Sequence, residues 1–196
     1  AILYDILNRQ PNILAKRAFT PWHDLEAKLR EHQIPLFSLE SKHPLAQFDI
    51  IGLSLPYESL YTNALNVLDL AGIPLLASER TNNDPLIIAG GQACFNPEPM
   101  ADFIDAFVVG EGEEVTLELI RAFEELKQSG SDRKGLLQGL SRIPGVYVPS
   151  LYSVHYAQDG TIISILPSDP SVPAIVTKRI VSKLPPHPTR LVVPNV

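Results

Sequence analysis

Phe48-Asp-Ile-Ile-Gly-Leu-Ser-Leu55 is a nearly continuous apolar run, and its reading decides the fold. A strand with one wet face alternates polar and apolar residues, whereas a strand buried on both faces of a parallel sheet does not. Two further runs of the same kind follow, Leu86-Ile-Ile-Ala-Gly-Gly91 and Ala106-Phe-Val-Val-Gly110, each ending in glycine. Helical patterns separate and follow them. Leu65, Leu68 and Leu70 mark a helix over 61–71 closed by Gly72, and Val115, Leu119, Phe123 and Leu126 recur at helical spacing. Strands alternating with helices predict an α/β fold, a doubly wound Rossmann or flavodoxin-like parallel sheet.

Upstream, 13–19 and 34–39 read as short strands, with Thr20 as a helix N-cap, Pro21 at the first helical position and a helix reaching His32. Leu3, Ile6 and Leu7 give a helical pattern at the start, and 73–76 reads as another short strand. Downstream of Gly130 the character changes. Residues 133–140 predict a helix, 146–156 and 161–166 flank a Gln158-Asp159-Gly160 turn as a β-hairpin, and 174–181 predicts a third strand. The chain therefore divides into an α/β domain over 1–130, a helix-plus-hairpin connector over 131–182 and a proline-rich linker over 183–196.

The chain has 196 residues, 45% of them hydrophobic and 19% charged, with a net charge of −6. This composition belongs to a globular chain and excludes disorder. The acidic balance argues against nucleic-acid binding, which requires phosphate-neutralising Lys and Arg. No apolar run reaches the roughly 20 residues of a membrane span, and no secretory leader opens the chain, so a cytoplasmic protein without membrane contact is expected. Charge is uneven: residues 1–130 hold 9 basic and 19 acidic side chains, and the remainder 7 and 3. Half of the 18 prolines fall from Pro144 onward.

In doubly wound sheets ligands bind beyond the carboxyl ends of the strands. Three features gather there: Gly52-Leu-Ser54, Gly90-Gly91 and Gly110-Glu-Gly-Glu113. Paired glycines let a backbone approach a bulky ligand, or simply turn a strand into its loop. Carboxylates around Gly112 suit a helix N-terminus and disfavour a phosphate ligand. No phosphate-loop or dinucleotide fingerprint occurs. Cys94 follows the double glycine, but without a neighbouring histidine it reads as structural. His23, His32, His43, His155 and His187 show no metal-ligand spacing. Tyr57, Glu58 and Tyr61 read as packing groups near the same mouth, and Lys178, Arg179 and Lys183 as a basic cluster.

Taken together, Ile50-Ile-Gly-Leu-Ser54, Leu86-Ile-Ile-Ala-Gly-Gly91, Asn96-Pro-Glu-Pro99 and Asp105-Ala-Phe-Val-Val-Gly-Glu-Gly-Glu113 resemble the cobalamin-binding-type N-terminal domain of radical S-adenosylmethionine proteins, in an uncharacterised subfamily. Ile143-Pro-Gly-Val-Tyr147, the hairpin and Leu184-Pro-Pro resemble the connector to the catalytic barrel. The resemblance implies cobalamin at the strand edge, contacted by Ser54, Leu55, Gly90, Gly91, Gln92, Gly110, Glu111, Gly112 and Glu113. It also implies a partner, the radical barrel of the same parent chain. The 4Fe–4S cluster and S-adenosylmethionine would reside there, since the barrel's CxxxCxxC motif is absent from this chain. A first strand preceding Ala1 is implied as well. By itself the chain would position cofactor or substrate without catalysing a reaction. No Asp-x-His-x-x-Gly occurs to supply cobalt with a histidine. The alternative implied is a structural or substrate-presenting α/β module that has lost cobalamin.

Overall fold

The computed structural model describes residues 2–182, so Lys183 and the proline-rich stretch to Val196 lie outside the described residues. Three strands run parallel, β1 (Ile50–Ser54), β2 (Leu86–Gly90) and β3 (Ala106–Val108), and are joined by a short antiparallel strand β4 (Val146–Tyr147), in the order β1-β2-β3-β4. Side chains of β2 alternate between two cores. Ile87 and Ala89 face α2 (His23–Glu31) and α3 (Tyr61–Leu70), whereas Leu86 and Ile88 face α4 (Gly112–Gln128) and α5 (Arg133–Leu140). Helices thus cover both faces of β2 and β3, as their unbroken apolar runs require, whereas β1 lies at the sheet edge with only Ile51 fully buried, so the burial on both faces that its run predicts is not met there. The first helix, α1 (Ile2–Asn8), places Leu3 against the start of α4 at Gly112. Among the described residues no helix is long and apolar enough to cross a membrane.

Several short elements differ from the sequence reading. Residues 13–19 and 73–76 form no strand. The first stretch leaves Leu14 and Phe19 exposed, and the second contains Pro74, which has no N–H for a ladder. Residues 34–39 and 174–181 form no strand and make only isolated bridges, Phe37 to Pro44 and Gly110 to Arg179. The predicted Thr20 cap is not used. Trp22 takes the cap position without a side-chain hydrogen bond, and Asp24 and Glu26 supply first-turn carboxylates that favour the helix dipole. The predicted strand 146–156 breaks at Pro149, where a 3₁₀ turn begins. Its first part joins the main sheet as β4, and its second becomes β5 (Tyr152–Tyr156), paired antiparallel with β6 (Ile162–Pro167) across the predicted Gly160 turn.

At the amino end of the sheet Asp105, 2% exposed, collects three donors on Oδ2: the Ile87 N–H at 2.7 Å, Arg80 Nη1 at 3.1 Å and Arg133 Nη2 at 2.8 Å. Arg80 also caps the carbonyls of Pro74, Leu75 and Phe103. Arg133, the first residue of α5, bonds those of Thr81, Asp84 and Pro85. One carboxylate thus gathers the irregular 74–85 segment, β2, β3 and α5. At the other end of the molecule, Glu98 of the Asn96-Pro-Glu-Pro99 motif accepts a 2.7 Å hydrogen bond from Tyr147 Oη, tying the loop after β2 to β4.

Candidate functional site

The carboxyl ends of β1, β2 and β3 place Ser54, Gly90 and Val108 side by side, and the loops that follow form the edge where a ligand would lie. The first two loops are locked together by backbone. Leu55 N–H donates to the Gly90 carbonyl at 2.8 Å, and Ala93 N–H donates to the Leu55 carbonyl at 3.0 Å. Gly91 sits at φ +120°, a conformation that L side chains rarely adopt, and a β-carbon there would lie 2.6 Å from the Leu55 carbonyl oxygen. Leu55 itself is buried, while Ser54 and Gln92 are exposed.

The third loop is covered by a strap formed by residues 172–181. Arg179 N–H donates to the Val109 carbonyl at 2.8 Å, and Glu111 N–H donates to the Arg179 carbonyl at 3.1 Å, a parallel bridge to Gly110. Gly110, at φ +107°, abuts the Arg179 backbone so closely that a β-carbon would lie 2.6 Å from its nitrogen. The Arg179 side chain hydrogen-bonds Glu118 and stands 3.7 Å from Glu114, and the Glu111 carboxylate accepts from Val181 N–H. The basic cluster read in the sequence thus docks, through Arg179, on the acidic first turns of α4. Gly112 and Glu113 open that helix, with Leu3 packed beside Gly112.

The structure therefore brings Ser54, Leu55, Gly90, Gly91 and Gln92 together at two adjoining strand ends, and Gly110, Glu111, Gly112 and Glu113 at the third. The room left by Gly91 and Gly110 is taken by the chain's own backbone, at Leu55 and Arg179. On the side where a β-carbon would lie, each of these positive-φ glycines faces backbone, while Gly91 itself stays exposed beside Ser54 and Gln92. What remains outward is a polar and aromatic surface, with Ser54, Gln92, Tyr57 (55% exposed) and Phe95 (52%) on neighbouring loops. Such a surface can hydrogen-bond and stack on a partner, but it holds no paired acid and base. Among the described residues no group of three His, Cys, Asp or Glu side chains is placed to hold a metal ion.

Sequence reasoning missed the strap, whose residues it read as a further strand of the hairpin. The opposite charges of the two regions were the available signal.

Cys94 is 1% exposed, and burial pushes its thiol up to about 11. At pH 8 the folded chain is expected to react with a thiol-specific disulfide reagent at least roughly 100-fold more slowly than the urea-unfolded chain, because both the thiolate fraction and access fall. Equal rates, read by absorbance, would show Cys94 to be an accessible nucleophile.

The family described as "Radical SAM proteins, N-terminal" matches residues 1–149. An uncharacterized protein of Methanocaldococcus jannaschii is 33% identical over 98 residues, which cover 48% of this chain and 20% of that protein. The matched stretch thus spans about a fifth of the length of this curated relative. No solved structure matches the chain significantly.

Proposed function

We propose, from the premise that this chain belongs to the N-terminal family of radical S-adenosylmethionine proteins, that it is a non-catalytic α/β module that holds and presents substrate to a radical-generating domain of the same polypeptide, without binding cobalamin. The observation that supports this reading is the close packing of the chain's own backbone on the two positive-φ glycines of the carboxyl edge. Glycines that would admit a corrin against the strand ends instead admit Leu55 and Arg179 backbone. S-adenosylmethionine and the 4Fe–4S cluster are assigned to the other domain, because three thiolates are required and this chain supplies one cysteine. The module's part is orientation, through the exposed polar and aromatic loops after β1 and β2.

The competing reading places cobalamin on the same edge, favoured by the exposed Ser54, Gly91 and Gln92 at the ends of β1 and β2. Titration with hydroxocobalamin, following the visible spectrum and thermal melting together, separates the two. The expected result is an unchanged spectrum and an unchanged melting temperature at cobalamin concentrations up to 1,000 times those of a tight site, where bound ligand would add about 4 kcal/mol of stability. Saturable spectral change that a Gln92→Trp substitution abolishes, at a position whose exposure spares the fold, would overturn the proposal and establish a cobalamin module.

A further inference from the structure

The β5–β6 ribbon has two unlike faces. Its register sets Tyr152 opposite Pro167, Val154 opposite Ile165 and Tyr156 opposite Ile162, so one face is wholly apolar. The other carries Ser153, His155 and Ser164, with Leu166. The register shifts by one residue beyond His155, and Ile163 is the residue passed over. At the base of the ribbon the apolar face belongs to the core: Tyr152 packs at 5.0 Å between ring centroids on Tyr147 and donates its hydroxyl hydrogen bond to the Pro173 carbonyl at 2.7 Å. Toward the tip the same face leaves the core. Exposure rises from 37% at Ile165 to 51% at Ile162 and 62% at Tyr156.

A two-stranded ribbon alone is marginal in water, and natural edges are commonly guarded by charge or proline. This ribbon has no Lys, Arg, Asp or Glu in either strand, and its one proline, Pro167, is the final residue of β6. We infer that the outer apolar face of the β5–β6 hairpin is the seat for the catalytic domain of the same polypeptide, which covers Tyr156, Ile162 and Ile165 with an uncharged apolar surface of its own. This inference rests on the proposed role of the chain as a module of a radical S-adenosylmethionine protein.

Two observations select that occupant. The exposed apolar area of Tyr156, Ile162 and Ile165 is about 300 Å², given side chains of about 150–250 Å² for the largest of them. That is less than half of the roughly 800 Å² per partner that a stable complex of free proteins buries, which disfavours a second copy or an untethered protein. A tethered domain needs far less, because a short linker holds it at an effective concentration in the millimolar range. The relative of known length also extends well beyond the matched stretch, which occupies only 20% of it. There is chain enough for a covering domain.

The test is hydrogen–deuterium exchange of the 152–167 amides in this 196-residue chain and in the full-length polypeptide that contains it. The expected result is exchange at least 10-fold slower in the full-length protein. The difference should vanish with the exposed-face double substitution Tyr156→Ser and Ile162→Ser, and persist with His155→Ser on the polar face. Equal exchange in the two proteins would overturn the inference. So would protection in the 196-residue chain that grows with its concentration, since a second copy would then be the occupant. An unchanged melting temperature of the substituted 196-residue chain shows that its fold is intact. Cobalamin binding in the earlier titration would overturn the proposed function and leave this exchange comparison unaffected, so the two failures are distinguishable.

Discussion

Replacing Asp105 with alanine is expected to remove about 3–5 kcal/mol of stability, the loss typical of breaking a buried ion pair from one side. Against the roughly 5–15 kcal/mol that holds a domain folded, this is a large fraction. The arithmetic is one of stranded donors. The Arg80 side chain is 0% exposed and the Arg133 side chain 12%, and both guanidiniums lean on the same Asp105 oxygen as the Ile87 N–H. Burial lowers the pKa of Arg80 and Asp105 is the chief group opposing that shift, so without its carboxylate two cations stand close together with only the weaker attraction of Asp84 to offset them. The backbone carbonyls that surround each arginine satisfy donors but not charge. Asp105→Asn keeps the shape and an acceptor for Ile87, and should lose less than alanine. Arg133→Met, which leaves the Arg80–Asp105 pair intact, should lose less again. Urea denaturation of the three variants gives the ranking directly, and a loss below about 1 kcal/mol for Asp105→Ala would show that the network is not a source of stability.

The second large effect is expected at Gly110. Alanine there combines a positive φ, which costs of order 1–3 kcal/mol for a residue with a side chain, with a β-carbon driven into the Arg179 backbone, for which overpacking adds about 1–3 kcal/mol. The chain can relieve the clash by releasing the strap. Released, the strap gives up the Arg179 bonds to Val109 and Glu111 and the Arg179 contacts with Glu118 and Glu114. Gly110→Ala should therefore show rapid proteolytic cleavage between residues 172 and 182 while α4 and the sheet stay resistant. Gly160→Ala is the control: it has the same sign of φ, at +83°, but nothing within 4 Å of the added carbon, so it carries strain without collision. Equal protease sensitivity in the two variants would mean that the strap is not held at Gly110.

The strands β2 and β3 were legible because burial on both faces leaves an unbroken apolar signature, and β1 because its run is equally apolar although only Ile51 is fully buried; 133–140 is a helix as predicted, with Asp132 as its cap, accepting from Gly135 N–H at 2.8 Å. The sheet edge with its glycines was legible as a place. What fills the space beside Gly91 and Gly110 was not, because a glycine records only that something comes close, and a ligand and the chain's own backbone leave the same mark. The Asp105 network left no periodic trace either. Its partners stand 25 and 28 residues away, and no local pattern links them. The break at Pro149 was available in principle, since proline cannot donate to a ladder, but the apolar run on both sides of it concealed the change of sheet.

The strap has a consequence in the order of synthesis. Gly110 leaves the ribosome 69 residues before Arg179, its partner in the parallel bridge. At about 5–20 residues per second, the 51 residues from the end of α4 at Gln128 to Arg179 take roughly 3–10 s, during which α4 is complete in sequence while the carboxyl edge still lacks the strap. Glu114 and Glu118 on the first turns of α4 lack their Arg179 partner until it emerges. A small molecule or a chaperone with affinity for that edge would have those seconds in which to bind, and the nascent chain is the form of this protein in which the Gly110 loop stands without its Arg179 bridge.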